Sequence, residues 1–207
     1  MSGAPRNTRQ LGDMTGAIRA ALTNAGVDVD GISTTALAPV DEFHIRGVPA
    51  TLEIAEALAV DAGSSVLDNG SGLGGPARTI AEVVGCHVIG IDLTPEFCAT
   101  ATELSRCTGL SDRTQFAVGD ATSLDLPDAT FDAAMSVHVA MNIADKAGMY
   151  REARRVLKPG GASLSMTFSR AQAGRCTFRC RGPAIRRRAT SPPPSRLVHC
   201  SPAPASR

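Results

Sequence analysis

The strongest chemical signal in this sequence is a glycine-rich segment at residues 66–75, Val-Leu-Asp-Asn-Gly-Ser-Gly-Leu-Gly-Gly. Glycines let a chain turn sharply from a strand into a helix and approach a ligand without an interfering Cβ. The first N–H groups of the following helix lack intrahelical partners and can bind that ligand. The spacing Gly70-x-Gly72-x-x-Gly75 also satisfies the dinucleotide fingerprint. The segment therefore predicts a nucleotide cofactor without choosing between the candidates.

Three carboxylates help to separate those candidates. Asp68 directly precedes the glycine turn, Asp92 ends the apolar segment 87–92, and Asp120 follows the segment 114–118. A carboxylate at Asp68 would repel a diphosphate and suits the ammonium and sulfonium of S-adenosylmethionine. Asp92 fits either cofactor, because it can accept hydrogen bonds from ribose hydroxyls, and Asp120 is placed to accept from an adenine amino group. Each could also be a solvated turn or cap residue, but three of them along one crevice favour S-adenosylmethionine.

The elements that must position these side chains alternate along the chain. Period-2 and period-3.6 apolar patterns predict five strands that alternate with helices, after a helix and a loop at the N-terminus. Such alternation indicates an α/β, Rossmann-like fold, with a parallel sheet and helices on both faces. The predicted strands are 65–68, 87–92, 114–118, 131–137 and 162–168, the helices are 13–25, 51–60, 76–84, 95–108 and 145–157, and the loop is 26–39.

Charge is unevenly distributed along the chain. Residues 170–207 hold nine of the 21 Lys and Arg residues and none of the 20 Asp and Glu residues, so residues 1–169 carry a net charge of −8. An acidic body argues against a nucleic-acid role. No apolar stretch is long enough to span a membrane, and no secretory signal is visible. The cysteine spacing gives no metal site, so we expect a cytoplasmic protein with no metal, nucleic-acid or membrane partner.

The order of the motifs resembles class I S-adenosylmethionine-dependent methyltransferases. The resemblance covers roughly residues 40–168. Within that class, segments 41–47 (Asp-Glu-Phe-His-Ile-Arg-Gly) and 72–78 (Gly-Leu-Gly-Gly-Pro-Ala-Arg) are similar to the branch of sarcosine and dimethylglycine N-methyltransferases and sterol C-methyltransferases. The motifs that carry the class resemblance are 68–78, Gly90-Ile91-Asp92, Gly119-Asp120-Ala121, Phe131-Asp132-Ala133 and Leu157-Lys158-Pro159-Gly160-Gly161.

The resemblance implies a role for each part of the cofactor site. Asp68, Gly70, Ser71 and Gly72 would hold the methionine portion of S-adenosylmethionine. The ribose would lie at Asp92 and Leu93, and the adenine at Asp120 and Ala121. His138, in the segment 137–142, would flank the transferring methyl group. In this family a small aliphatic residue usually stands where this chain has Asn69.

The acceptor is expected to be a small molecule with an N, C or O nucleophile. The resemblance places it near Phe43, His44, Arg46 and Asn142, with residues 43–47 closing over the cofactor. Methyl transfer mainly requires positioning of the nucleophile, so His138 is a candidate base but not an obligatory one. Two alternatives stay open: a catalytically inactive remnant of a methyltransferase, and an NAD-dependent oxidoreductase. The sequence leaves the oligomeric state open.

We divide the chain into an N-terminal helix and loop (1–40), a cofactor-binding domain (41–169) and an Arg/Pro/Ser-rich tail (170–207) expected to be disordered. Family members continue after the fifth strand with a helix and two more strands. Here the sequence loses its period and all acidic residues after Ser169, which resembles translation out of frame. The expected fold therefore lacks the last two strands, and its fifth strand becomes a sheet edge.

Overall fold

The computed structural model describes residues 13–168 and 176–180. The described residues form six α-helices, six β-strands and a short 3-10 helix, Ala140–Asn142. The helices are α1 (Met14–Asn24), α2 (Thr34–Asp41), α3 (Gly47–Leu58), α4 (Gly75–Val84), α5 (Pro95–Cys107) and α6 (Lys146–Val156). The strands are β1 (Ser65–Asn69), β2 (His87–Asp92), β3 (Thr114–Val118), β4 (Phe131–Val137), β5 (Leu157–Phe168) and β6 (Cys176–Cys180).

The strands form one sheet in the order β3-β2-β1-β4-β5-β6. The first five strands are parallel to one another, as expected for strands joined by helical crossovers. The order reverses between β1 and β4, since β1 lies between β2 and β4. In open sheets of this kind, ligands bind outside the carboxyl ends of the strands at such a switch point. The predicted Rossmann-like fold is confirmed, and its topology locates the crevice above β1.

Apolar side chains of alternating strand residues cover both faces of the sheet. On one face, Val66 and Met135 join a buried cluster with Ile54 of α3 and Ile80 of α4. On the other face, the neighbouring strand residues pack with Val156 of α6. Because side chains alternate along a strand, Asp68 continues the first face and Asn69 the second. These two neighbouring residues therefore enter different environments.

The prediction of a loop over residues 26–39 is wrong in part, because α2 begins at Thr34. Ser33 caps this helix by accepting a hydrogen bond from the backbone N–H of Ala36 across 3.1 Å. Leu37 is fully buried in a cluster with residues of α1 and α5. One buried leucine and one capping serine are too few for a period to be visible in the sequence. The helix matters because it leads directly into Asp41 and the segment that meets the crevice.

The expectation that β5 forms an unpaired edge is also wrong. β6 pairs with β5 in antiparallel register, from Leu164 opposite Cys180 to Phe168 opposite Cys176. β6 lies within the segment 170–207, where the sequence shows no period, and it pairs with five of the twelve residues of β5. The rest of that segment, which we expect to be disordered, lies outside the described residues, as do residues 1–12. Within the described ranges, no helix is long and apolar enough to cross a membrane.

Candidate cofactor and acceptor site

A cavity of about 170 Å³ opens at the carboxyl ends of β1 and β4. It is lined by the glycine-rich turn, by the chain segment after α2 and by the end of β4. The structure thus brings together seven of the sequence-predicted site residues from three separate parts of the chain. They are Phe43, His44, Asp68, Gly70, Ser71, Gly72 and His138.

The glycine-rich turn has the geometry that its composition predicts. Gly70 has a φ of 91°, and a Cβ there would lie 2.3 Å from Cγ2 of Val139, so another residue would clash as well as strain the backbone. Gly72 has a φ of 53°, and a Cβ there would meet nothing within 4 Å. Gly70 therefore permits close packing against the segment after β4, whereas Gly72 faces open space that a ligand can use.

Asp68 is the most unusual group in the cavity. The residue is 1% exposed, and neither carboxylate oxygen has a hydrogen-bond partner among the described residues. Burial, reinforced by the negative charges of Asp92 and Glu42, raises the pKa of Asp68 to about 7. A buried carboxylate without a partner is costly to the fold. Such a group indicates a site that is completed by a cationic ligand.

Asp92 lies at the end of β2 and already supports the two turns that border the crevice. Its Oδ2 accepts a hydrogen bond from the backbone N–H of Gly72 across 2.9 Å, and its Oδ1 accepts one from Thr94, also across 2.9 Å. Each oxygen retains a second lone pair for a ribose hydroxyl. Asp92 is therefore both a structural tie between the turns and a possible cofactor ligand.

Asp120 and Ala121 lie further from the cavity than the sequence suggested. Asp120 is exposed, and its Oδ1 accepts hydrogen bonds from both the backbone N–H and the hydroxyl of Thr122, each across 2.7 Å. These bonds lower the pKa of Asp120. Neither residue lines the cavity, and Leu93 is 72% exposed. The residues predicted to contact the ribose and adenine, Leu93, Asp120 and Ala121, therefore lie outside the cavity, after the ends of β2 and β3.

His44 is held by its neighbours on the first face of the sheet. Its Nε2 lies 2.5 Å from Oε2 of Glu42 and 3.0 Å from the hydroxyl of Thr51. The adjacent Phe43 is 77% exposed although it lines the cavity mouth. Because His44 is fixed by hydrogen bonds and Phe43 is exposed at the cavity, this segment is suited to contact an acceptor.

A buried charge network that we did not predict fixes this segment to the glycine turn. Arg78 of α4 is fully buried; its Nη2 donates to Oδ2 of Asp41 across 2.5 Å and to the carbonyl oxygen of Leu73 across 2.6 Å. Glu42 accepts from the hydroxyl of Thr79 across 2.8 Å. The acidic pair at 41–42 and Arg78 were visible only as parts of a family motif, because nothing in the spacing shows that they meet.

His138 occupies a strained position at the end of β4. Its φ is 57°, which is unusual for a residue with a Cβ, and its backbone N–H donates to the carbonyl oxygen of Met166 across 2.8 Å. Its Nε2 is buried without a partner among the described residues. Burial, and then the nearby His44 with its ring centroid 6.1 Å away, lowers the pKa of His138. The imidazole is therefore neutral at pH 7.

Two residues predicted to contact the acceptor do not line the cavity. Arg46 has a left-handed backbone conformation and pairs with Glu53, its Nη1 donating to Oε2 across 2.9 Å. Asn142 is exposed at the end of the short 3-10 helix. The family resemblance placed both residues near the acceptor, but the direction of a side chain depends on the local backbone.

The described residues fit S-adenosylmethionine better than a dinucleotide. The unpartnered Asp68 carboxylate suits an ammonium group, and the unpartnered hydroxyl of Ser71 offers a further polar contact. The same carboxylate would repel a diphosphate at the glycine turn. Among the described side chains, no group of three or more metal-ligating residues is arranged to hold an ion.

Comparisons with known proteins agree with this assignment. Residues 67–164 match the family described as "Methyltransferase domain". A sterol 24-C-methyltransferase of Eremothecium gossypii is 39% identical over 108 residues, which are 52% of this chain and 29% of that protein. The predicted likeness to sterol C-methyltransferases is thereby confirmed, although the chain spans less than a third of that relative.

Solved structures match over about half of their own length. Geranyl diphosphate methyltransferase in complex with S-adenosylmethionine superimposes with a TM-score of 0.56 at 22% identity, covering 58% of this chain and 48% of that chain. The [4+2]-cyclase SpnF superimposes with a TM-score of 0.59 at 28% identity, covering 76% of this chain and 58% of that chain. The first likeness shows the fold, and the second shows that this fold also occurs in a [4+2]-cyclase.

Proposed function

We propose that this chain, whose residues 67–164 match the methyltransferase domain family, transfers a methyl group from S-adenosylmethionine to a small-molecule acceptor. The observation that carries the proposal is the unpartnered carboxylate of Asp68 inside the cavity. A ligand ammonium would convert a costly buried group into a charge-assisted hydrogen bond. The glycine turn and Asp92 border the same crevice and would take the rest of the cofactor.

The bound cofactor supplies an activated methyl carbon: the acceptor's lone pair forms the new bond while the carbon–sulfur bond breaks and its electrons stay on sulfur. The residues of this chain have to position the nucleophile and exclude water, because the carbon is already activated. Val137 and His138 lie at the cavity wall, where they would orient the acceptor.

His138 is the candidate base for an acceptor that must lose a proton. Its neutral imidazole has a buried and unpartnered Nε2, which can accept that proton. Because burial and the neighbouring His44 lower the pKa of His138, its imidazolium would release the proton to water after transfer. A neutral amine would need no base for the transfer itself, whereas an alkene acceptor would be left as a carbocation that must then lose a proton to a base.

The cavity walls favour an acceptor without a phosphate group. Among the described residues that line the cavity there is no Lys or Arg, while Phe43, Leu73, Pro76 and Val137 supply apolar surface. The carboxylates of Asp41 and Asp68 would repel an anion. We therefore propose an uncharged or cationic acceptor with an apolar portion, such as an amine, a hydroquinone or a sterol-like molecule.

Calorimetric titration of the chain with S-adenosylhomocysteine, beside a titration with NAD, tests the cofactor assignment. We expect micromolar binding of S-adenosylhomocysteine and no heat from NAD. A folded sample that binds neither ligand, or that prefers NAD, would reject the proposal.

The reaction is tested by mass spectrometry of acceptor panels incubated with S-adenosylmethionine. We expect an added methyl group on an amine, hydroquinone or sterol-like acceptor and none on phosphorylated analogues. His138→Ala should reduce turnover only for acceptors that must lose a proton. Cofactor binding without any methylated product would contradict methyl transfer. It would favour a protein that only binds the cofactor, or one with a different reaction, such as the [4+2] cyclisation in the name of SpnF.

We further propose that the protein works in a reducing compartment, the cytoplasm. Cys86, Cys98 and Cys107 are buried and unpaired in the described part of the chain. Free buried thiols are typical of proteins kept reduced.

A further inference from the structure

Asn69 is the residue of the glycine-rich segment that departs from the family pattern, and it is almost fully buried. The residue is 1% exposed at the end of β1. Its Nδ2 donates to the carbonyl oxygen of Ala121 across 3.5 Å, and its Oδ1 has no partner among the described residues. A small aliphatic residue would fill this space without either polar atom. The amide is therefore kept at some cost to stability.

The contact partner of Asn69 belongs to a loop with few other ties. The segment 119–123 is held by a bond from the backbone N–H of Gly119 to the carbonyl oxygen of Asp92, across 2.9 Å. Its remaining bonds are internal, from Thr122 and Ser123 back to Asp120. The loop is anchored at its end by Leu124, whose backbone N–H donates to Glu152 and whose carbonyl oxygen accepts from Arg155 of α6. Asn69 adds a hydrogen bond from the centre of the sheet to the middle of the loop, at Ala121.

We propose that Asn69 is a positioning residue that sets the place of the 119–123 loop, and through it the place of the cofactor's adenine. The inference rests on the proposed function, because the loop carries Asp120 and Ala121. Asn69 does not contact the reacting atoms in this role. Its side chain lies on the second face of the sheet, whereas that of Asp68 lies on the first.

Asn69→Val, tested in the full 207-residue chain, removes the tie but keeps the volume. The matched control is Ser136→Ala. Ser136 is 4% exposed with an unpartnered hydroxyl, and it directly follows Met135, which pairs with Asp68 in the sheet. The control therefore removes a buried polar group from a similar level of the neighbouring strand and leaves the 119–123 loop untouched.

Amide hydrogen exchange of the cofactor-free chain gives the first readout. We expect Asn69→Val to speed exchange in residues 119–123 by about twofold, the factor expected from losing one weak hydrogen bond of 3.5 Å. Exchange in α4 should not change, and Ser136→Ala should leave residues 119–123 as they are. Unchanged exchange in Asn69→Val, or an equal change in the control, would overturn the inference.

The second readout compares S-adenosylhomocysteine with its inosine analogue, in which an oxygen replaces the adenine amino group. Asn69→Val should weaken binding of S-adenosylhomocysteine by about twofold, no more than direct loss of the Asp120 carboxylate, and should reduce its preference over the inosine analogue by a similar factor. Equal weakening of both ligands would overturn the adenine role. If the parent chain binds neither ligand, the proposed function fails, while the exchange measurement still decides whether Asn69 holds the loop.

Discussion

Asp68, near the end of β1, and Asp120, just after β3, lie at the carboxyl ends of two parallel strands, yet their surroundings are opposite. Asp68 is buried, has no hydrogen-bond partner among the described residues, and has a pKa raised to about 7 by burial. Asp120 is exposed, is bonded twice to Thr122, and has a lowered pKa. Asp92 lies between them and is bonded to two turns while retaining free lone pairs. Three aspartates along a single crevice thus differ in burial and in hydrogen bonding.

The difference shows where binding energy is available. A ligand cation at Asp68 removes a penalty that the fold already carries, so the gain on binding is large. A ligand at Asp120 competes with water and with Thr122, so the gain is small. We therefore expect the methionine end of the cofactor to dominate affinity, and the adenine end to refine the choice of nucleoside.

Replacement of Asp68 should have the largest effect. Asp68→Asn keeps the shape of the side chain but removes its charge, so we expect at least about 100-fold weaker binding of S-adenosylhomocysteine, the size expected for breaking a buried charged pair. At pH 8 the cofactor-free variant should unfold at a higher denaturant concentration, because a buried ionised group is removed. The exposed Asp112→Asn variant controls for net charge, and equal affinity in both variants would contradict the comparison.

Asp92→Ala should have the next largest effect, because Asp92 supports the glycine turn and the turn before α5 as well as the ribose. We expect about 30-fold weaker binding of S-adenosylhomocysteine, as for the loss of two charge-assisted hydrogen bonds. Asp92→Asn retains one acceptor and should lie between the variant and the parent. If Asp92→Ala binds as weakly as Asp68→Asn, the ribose position contributes as much as the methionine end.

Cofactor binding should depend on pH because Asp68 must ionise to pair with the ammonium. With the pKa raised to about 7, the carboxyl's contribution to the stability of the free protein is present at low pH and is lost as the pH rises through 7. Binding therefore releases a proton, and affinity should be about tenfold weaker at pH 6 than at pH 8. Calorimetry in buffers of different ionisation enthalpy measures that proton.

The same titration in Asp68→Asn removes this contribution. The variant still shows the titration of the ligand and of Asp41. Burial raises the pKa of Asp41 to about 6, although the positive charge of Arg78 opposes that change. A pH dependence that persists unchanged in the variant would assign the proton to another group.

Strand positions and the glycine turn were predictable because their signals are local. The bounds of β2, β3 and β4 match the prediction, and three strand-tip carboxylates in register pointed to one crevice. Side-chain periodicity and turn chemistry depend on near neighbours in sequence, so both can be recognised without knowledge of the tertiary fold. The position of Asp68 helped to separate the candidate cofactors, and the three carboxylates together with the family resemblance favoured S-adenosylmethionine.

Contacts between distant segments were not predictable. Arg78 and Asp41 are 37 residues apart, and no pattern in either segment shows that they share a buried pair. Asp120 was placed in the crevice by its strand, but the hydroxyl of Thr122, two residues on, turned its carboxylate into the loop. Which partner a polar side chain selects depends on geometry of a few tenths of an ångström, and spacing does not carry that information.

Among the three aspartates, the smallest effect is expected at Asp120. Since its carboxylate is exposed and already bonded to Thr122, we expect Asp120→Ala to weaken S-adenosylhomocysteine binding by about threefold or less, the range of a surface hydrogen bond. Thr122→Val removes the hydroxyl that holds the carboxylate; if that bond keeps Asp120 from adenine, the variant should bind slightly more tightly than the parent. A loss of 30-fold or more in Asp120→Ala would mean that the loop rearranges around adenine on binding, and the two ends of the crevice would then contribute alike.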